Sequence, residues 1–356
     1  MRNKRIVKIG DFKIGGKEKI LVQSMTKCKT EDYLSLVKEL KKLEKVGCEI
    51  CRIAIKTDKA IENLRKIKEE RITKMPIVAD IHFDYNLAIK AIKAGADKIR
   101  INPFNITKEK EWKEIIKVAK DFNIPIRIGL NAGGVRERKK DIEKVILDRL
   151  KKTVDFFENE KFYDIVVSAK ISEPLSLINI YEEIDKNYQY PIHLGLTETG
   201  LPFEGGIRSG VAIGILLYKE IGDTIRVSLT GDSILEVIAG FEILSALNLR
   251  EDLPVIISCP TCGRCEVDLE KIVKEVKKEI FKLNIKKKIK IAIMGCEVNG
   301  PGEASHADYG IAFGKKSGVI FLKGKIIKKE PREKIVKKFI DLIFKEENLK
   351  FTHTPL

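Results

Sequence analysis

The sequence contains no apolar run long enough to cross a bilayer. Its longest, Val211 to Tyr218, falls far short of the roughly 20 residues that a spanning helix needs. The N-terminus, MRNKRIVKIGDF, begins basic but has neither an apolar h-region nor a cleavage site, so no export signal is expected. No RNA- or DNA-binding signature accompanies the abundant lysines, which argues against a nucleic-acid partner. No GxGxxG follows the first apparent strand, which counts against a doubly wound dinucleotide fold. These absences point to a cytoplasmic protein that keeps off membranes. In that compartment thiols stay reduced, so clustered cysteines read as metal or redox sites rather than disulfides.

The charge that is present is strongly one-sided: 68 Lys and Arg against 52 Asp and Glu, a net +16. The lysines lie mostly on amphipathic helical stretches such as Lys38–Lys45 and Lys271–Lys278, where they read as solvated faces. An apolar fraction of 44% over 356 residues suffices for more than one compact core, so two domains are expected.

Short β-branched runs alternate with helical patterns from residue 19 to about 247. The expected strands are Ile20–Ser24, Ile50–Ile55, Ile77–Ile81, Lys98–Asn102, Ile126–Leu130, Ile165–Ala169, Ile192–Thr197 and Thr224–Leu229. Helical periodicity is clear over Tyr33–Leu43, Ile142–Phe157 and Ile207–Ile221. Eight strand–helix units over such a length match a (β/α)₈ TIM barrel within the α/β class, an open doubly wound sheet being the alternative. A hairpin is expected within residues 1–18. The rhythm changes after Asp252–Pro254: Val255–Ser258 runs into CPTCGRC, a Lys-rich helix follows, and Ile289–Met294 runs into GCEVNGPGEA. A hairpin over Val319–Ile327 and a closing helix over Lys334–Phe344 complete a small α+β domain. The expected division is 1–250 and 251–356.

In a (β/α)₈ barrel the carboxyl ends of the strands build the active site. Those ends carry Arg52, Asp80 and His82, Arg100 and Asn102, Arg127 and Asn131, Ser168 and Lys170, Glu198, then Arg226 and Ser228. A single strand-end arginine commonly pairs with a neighbouring carboxylate. Five cations on five strands converging on one mouth instead imply a polyanionic, phosphorylated or diphosphorylated small molecule. Glu198 is a candidate general acid, or else a carboxylate that orients an arginine. His193 lies inside a strand and reads as a core histidine.

Of the seven cysteines, Cys48 and Cys51 sit at the start of a strand on opposite faces and read as small apolar residues, as does Cys28. Cys259 and Cys262 lie on a turn after a strand, where both thiolates can face one metal, and Cys296 follows another strand. The fourth ligand is Cys265 by spacing or Glu303 as the alternative. Zinc and a 4Fe–4S cluster both suit such a set; the lone cysteine of the second group favours iron–sulfur.

Seven motifs, in order, carry a specific resemblance: VQSMT (Val22–Thr26), VADIHFDYNLA (Val78–Ala88), IRIGLNAG (Ile126–Gly133), HLGLTETG (His193–Gly200), GDTIRVSLTGD (Gly222–Asp232), CPTCGR (Cys259–Arg264) and GCEVNGPGEA (Gly295–Ala304). Over nearly its whole length the chain resembles the 4-hydroxy-3-methylbut-2-enyl diphosphate synthase family of the methylerythritol phosphate pathway. The resemblance implies reductive ring opening and dehydration of 2-C-methyl-D-erythritol 2,4-cyclodiphosphate, with electrons from ferredoxin or flavodoxin. It implies a 4Fe–4S cluster on Cys259, Cys262, Cys296 and Glu303, leaving Cys265 as an extra thiol. It further implies substrate contacts from Arg52, Asp80, His82, Arg100, Arg127, Asn131, Lys170, Arg226 and Ser228, and a proton-donating or polarising role for Glu198. Finally it implies a homodimer in which one subunit's cluster domain serves the other's barrel. The rival readings are a barrel enzyme acting on another phosphorylated substrate with a structural zinc domain, and a basic nucleic-acid-binding module.

Overall fold

A computed structural model describes residues 4–135, 141–283, 285–296, 300 and 304–347. The chain divides into two compact units, Met1–Leu249 and Arg250–Leu356.

The first unit opens with an antiparallel hairpin, β1 (Val7–Ile9) and β2 (Phe12–Ile14), turning at Gly10 with φ +54°. Eight parallel strands follow: β3 (Leu21–Met25), β4 (Ile50–Ile55), β5 (Ile77–Ile81), β6 (Lys98–Ile101), β7 (Ile126–Asn131), β8 (Ile165–Lys170), β9 (His193–Leu194) and β10 (Thr224–Ile225). Their order is β8-β7-β6-β5-β4-β3-β10-β9, and a bridge from Val167 to Ile192 joins the two ends of the row. Tyr181 fastens that seam, accepting from the Ala169 N–H (3.0 Å) and donating to the His193 carbonyl (2.7 Å). The result is the (β/α)₈ barrel that the alternating pattern predicts. The last two ladders are shorter than predicted, because beyond Leu194 and Ile225 the chain leaves the sheet to line the mouth.

Helices α1 (Tyr33–Lys45), α2 (Asp58–Glu69), α3 (Tyr85–Lys93), α4 (Glu109–Phe122), α5 (Ile142–Asn159), α6 (Pro174–Asn187), α7 (Pro202–Tyr218) and α8 (Ser233–Ala246) alternate with the strands. Their starts are written locally: Asp32, Thr57, Asp84, Asp141 and Asp232 cap backbone N–H groups, and Pro174 and Pro202 open α6 and α7. Strand residues alternate in destination. Cys51, Ile53, Ile77, Ala79, Ile99, Ile126, Ile128, Ile165 and Val167 join the core shared with the helices. Leu21, Ile50, Val78 and Val166 pack with Val7, Ile9 and Ile14 in a separate cluster, so the hairpin closes the amino end of the barrel.

The second unit is a five-stranded sheet of β11 (Val255–Ser258), β12 (Lys290–Met294), β13 (Tyr309–Phe313), β14 (Ser317–Leu322) and β15 (Lys325–Pro331), in that order. The first three strands run parallel and the last three antiparallel. Helices α9 (Leu269–Lys282) and α10 (Arg332–Glu346) cover one face through Val276, Ile280, Ile335, Phe339 and Ile343. Strand β13, which the sequence pattern did not single out, is central to the sheet.

Candidate active site

The carboxyl ends of the barrel strands enclose a cavity of about 230 Å³. It is lined by Arg52, Asp80, His82, Arg100, Arg127, Asn131, Lys170, Arg226 and Ser228, the nine residues expected to face substrate, together with Met25, Ser168 and Thr197. Strand periodicity explains the gathering, since each residue sits on the alternate set that points inward.

The cations divide into two kinds. Asp80 is buried and binds Arg100 Nη1 at 3.0 Å, Arg52 Nε at 3.5 Å and His82 Nε2 at 3.4 Å. Burial pushes its carboxyl up, but Arg52 and Arg100 overrule this and hold it well below the usual carboxylate range. Asp80 therefore clamps two arginines while itself lining the cavity. Glu236, on α8 and absent from the expected set, performs the same service for Arg226. It accepts from Arg226 Nε at 3.2 Å, Ser24 Oγ at 3.0 Å and the Leu229 N–H at 3.1 Å, and pairs with Lys27 at 3.1 Å. Burial raises it, while Arg226, the Leu229 N–H and Lys27 lower it to a net depressed value. Its only sequence signal is a lone acid among the apolar residues of SILEVIAGF.

Three of the five mouth cations thus pair locally, as a single strand-end arginine commonly does, but not all five. Arg127 and Lys170 do not. Arg127 is 1% exposed with Nε and Nη1 unpartnered, and Lys170 is 5% exposed with Nζ unpartnered, among the described residues. Burial pulls both side chains down from their ordinary values, and the neighbouring cations add to the pull. Buried donors of this kind carry a large desolvation cost unless an anion meets them. Two glycines make the packing feasible. A Cβ on Gly129 would lie 2.6 Å from Arg100 Nε, and one on Gly195 would lie 2.9 Å from Lys170 Nζ and 2.5 Å from the Arg226 carbonyl oxygen.

Glu198 stands exposed on the loop after β9, outside the lining of the cavity, with a left-handed φ of +56°. Such a conformation in a non-glycine residue is held by its surroundings and is enriched at functional loops. The next residue, Thr199, donates from its hydroxyl to the Ser228 carbonyl.

In the second unit the cysteine ligands arise from adjacent parallel strands. Cys259 follows β11 and Cys296 follows β12, whose register pairs Ser258 with Ile293. The Gly295 N–H donates to Cys259 Sγ at 3.3 Å, which ties the two loops together. Cys262 is exposed, and Thr261 beside it has φ +48°. No three His, Cys, Asp or Glu side chains converge on a metal-sized point among the described residues. Glu303 lies outside the described residues. Cys265 lies against Gly295, where a Cβ would sit 2.4 Å from its Sγ, and its thiol faces the Val267 carbonyl at 3.2 Å. The donor chemistry fits an iron–sulfur group: two thiols at neighbouring strand ends, a third on an exposed turn, and a backbone N–H already aimed at sulfur. Cys48 and Cys51 are buried in the barrel wall; burial drives the Cys48 thiol up to about 12 and the Cys51 thiol well above its ordinary value, as expected of inert packing residues.

Comparisons with known proteins agree with this architecture. The model of the GcpE TIM-barrel domain matches residues 4–241, and that of the GcpE protein C-terminal domain matches residues 255–345. The chain is 47% identical over 351 residues to the 4-hydroxy-3-methylbut-2-en-1-yl diphosphate synthase (flavodoxin) of Caldanaerobacter subterraneus subsp. tengcongensis, covering 96% of this chain and 98% of that protein. It is 48% identical over 345 residues to the protein of the same name from Clostridium tetani, covering 95% and 97% respectively. Among solved structures, the dihydropteroate synthase of Xanthomonas albilineans aligns with a TM-score of 0.50 at 11% identity, covering 69% of this chain and 98% of that one. That last likeness speaks to the barrel fold alone.

Proposed function

The chain belongs to the GcpE family, and from that premise we propose that its barrel mouth binds the cyclic diphosphate while its second unit carries a 4Fe–4S cluster. The reaction is the reductive ring opening and dehydration of 2-C-methyl-D-erythritol 2,4-cyclodiphosphate to 4-hydroxy-3-methylbut-2-enyl diphosphate. Two electrons and two protons enter, a carbon–oxygen bond to phosphate breaks, and a hydroxyl leaves as water. When bound to Cys259, Cys262, Cys296 and Glu303, the cluster supplies electrons one at a time and a Lewis-acidic iron. The relatives are named for flavodoxin, which makes flavodoxin the donor assigned here, ferredoxin being the alternative.

The observation that carries the reading is the pair of buried, unpartnered cations, Arg127 and Lys170, in a mouth that already holds three paired arginines. Arg127 and Lys170 grip phosphate oxygens directly; Arg52, Arg100 and Arg226, pre-oriented by Asp80 and Glu236, present the rest of the cradle. Asn131, whose side-chain oxygen accepts from Arg100 Nη2 at 3.3 Å, and Ser228 add neutral hydrogen bonds, and His82 completes the rim. Glu198 polarises or protonates the departing hydroxyl, its strained loop supplying the reach.

A homodimer is supported by α7, whose outer face exposes Phe203, Ile207, Val211, Ile215 and Tyr218 in succession. Its opposite face is buried through Ala212, Ile213, Leu216 and Leu217, so the helix carries apolar residues on both its inner and its outer face. A second copy of the chain is the occupant we assign to that face. A site of three thiolates and one carboxylate requires reduced cysteines, which supports a cytoplasmic location; no helix among the described residues is long and apolar enough to cross a membrane.

Anaerobic purification, an absorbance spectrum and metal analysis test the cluster assignment. The expected result is a brown protein with about four iron and four sulfide per chain. A colourless protein with stoichiometric zinc contradicts it.

A further inference from the structure

Below the cavity the barrel interior holds a second tier of polar side chains, of which the sequence singles out only His193, as a core histidine. Lys98 on β6 is wholly buried, and its Nζ has no hydrogen-bond partner among the described residues. Gln23 on β3 has both amide atoms unpartnered, and His193 on β9 keeps its Nε2 unpartnered while Nδ1 meets Thr224 Oγ1 at 2.9 Å. None of the three lines the cavity. They occupy the inward-facing register of their strands, with Lys98 two residues before Arg100, and Arg100 aligned with Arg127 across β6 and β7.

The charge balance of this interior is lopsided. Arg52, Lys98, Arg100, Arg127, Lys170 and Arg226 are cationic types, against the carboxylates of Asp80 and Glu236. Asp80 is committed to Arg100, Arg52 and His82, and Glu236 to Arg226 and Lys27. The groups around Lys98 from the neighbouring strands are therefore Arg52 on β4, the engaged Asp80 on β5, Arg127 on β7, Lys170 on β8 and His193 on β9. Guanidinium groups hold their protons under almost any circumstance, so relief from this repulsion falls on the amines and the imidazole.

We infer that the barrel interior takes up protons when the cyclic diphosphate binds, and that Lys98, which does not touch the ligand, is an acceptor alongside Lys170. The inference rests on the substrate assignment above. Burial first, then Arg127 and Arg52, pull the Lys98 amine well below its ordinary value in the ligand-free protein. A diphosphate seated on Arg127 and Lys170 cancels that repulsion without touching Lys98, and the amine regains its charge. Each phosphorus of a cyclic diphosphate bears one strongly acidic hydroxyl, so the ligand does not titrate near neutrality and the proton must go to the protein. Lys98 is then a positioning residue: neutral when the site is open, charged when it is filled, and adding positive charge beneath the bound anion.

Titration calorimetry of the oxidised holoenzyme with the cyclodiphosphate, without reductant and in buffers of different ionisation enthalpy, counts the protons. The wild type is expected to take up protons on binding near pH 8, and Lys98→Met to take up measurably fewer. Equal uptake in both proteins overturns the inference and assigns the proton to Lys170 or His193. If Lys98→Met fails to fold, the wild type still tests the uptake itself. Its Kd is expected to rise with pH between 7 and 9, by up to about tenfold per unit, and a flat profile overturns the inference. No binding by folded, cluster-loaded wild type at any pH contradicts the substrate assignment itself, a result distinct from either.

Discussion

At the scale of single residues, the site consists of charges held ready by other charges. Among the described residues no carboxylate is hydrogen-bonded to Arg127, and two of its buried donors are unpartnered. Arg127→Ala is expected to weaken substrate binding by about 1.5–3 kcal/mol, the scale of a charge-assisted hydrogen bond; steady-state kinetics with unchanged KM and kcat would contradict its place in the cradle. The ligand-free protein should also show the cost of its buried amines. Lys98 and Lys170 are depressed in the folded state, so between their folded values and the ordinary lysine range the unfolded chain binds more protons. Stability then rises with pH. Thermal melts of the ligand-free protein are expected to move upward from about pH 6.5 to about pH 7.5, below the midpoint at which unfolded cysteines ionise, and less steeply in Lys98→Met. A melting point that falls over that interval would contradict this.

At the scale of elements, the strand ends do the positioning. Gly195 lets β9 pass close to β10 and leaves room for Lys170, with only 2.5 Å between a notional Cβ and the Arg226 carbonyl. Gly195→Ala is expected to cost about 1–3 kcal/mol by overpacking, read as a lower midpoint in denaturant, together with weakened substrate binding; an unaltered midpoint would show that the strands can part freely. The barrel strands were legible because inward and outward residues alternate with period two while the helices between them repeat near 3.6. The inward arginines at strand ends could be read for the same reason. Glu236 could not, since it reaches Arg226 from a helix that is apolar on most sides. Lys98 was passed over because a lysine at the start of a strand looks like a surface residue until the barrel closes around it. Strand β13 was missed because YGIAF follows a loop rich in small residues and leans on Gly310, where a Cβ would collide with the Phe321 ring.

At the scale of the whole molecule, the proposed reaction requires electrons to reach a small anion bound at the barrel mouth. The exposed apolar face of α7 is the feature that a lone copy leaves unexplained. Val211→Glu on that face is expected to shift the protein from dimer to monomer in sedimentation; an unchanged dimer would place the interface elsewhere. Mixing a Cys296→Ala chain with a Glu198→Ala chain is expected to restore part of the turnover that each lacks, if barrel and cluster are contributed by different subunits, and absence of recovery would count against that arrangement. The most direct test is anaerobic turnover. Cluster-loaded protein, given reduced flavodoxin and 2-C-methyl-D-erythritol 2,4-cyclodiphosphate, should consume two electrons for each 4-hydroxy-3-methylbut-2-enyl diphosphate formed. A reducible, iron-replete protein that leaves the cyclic diphosphate intact would contradict the account.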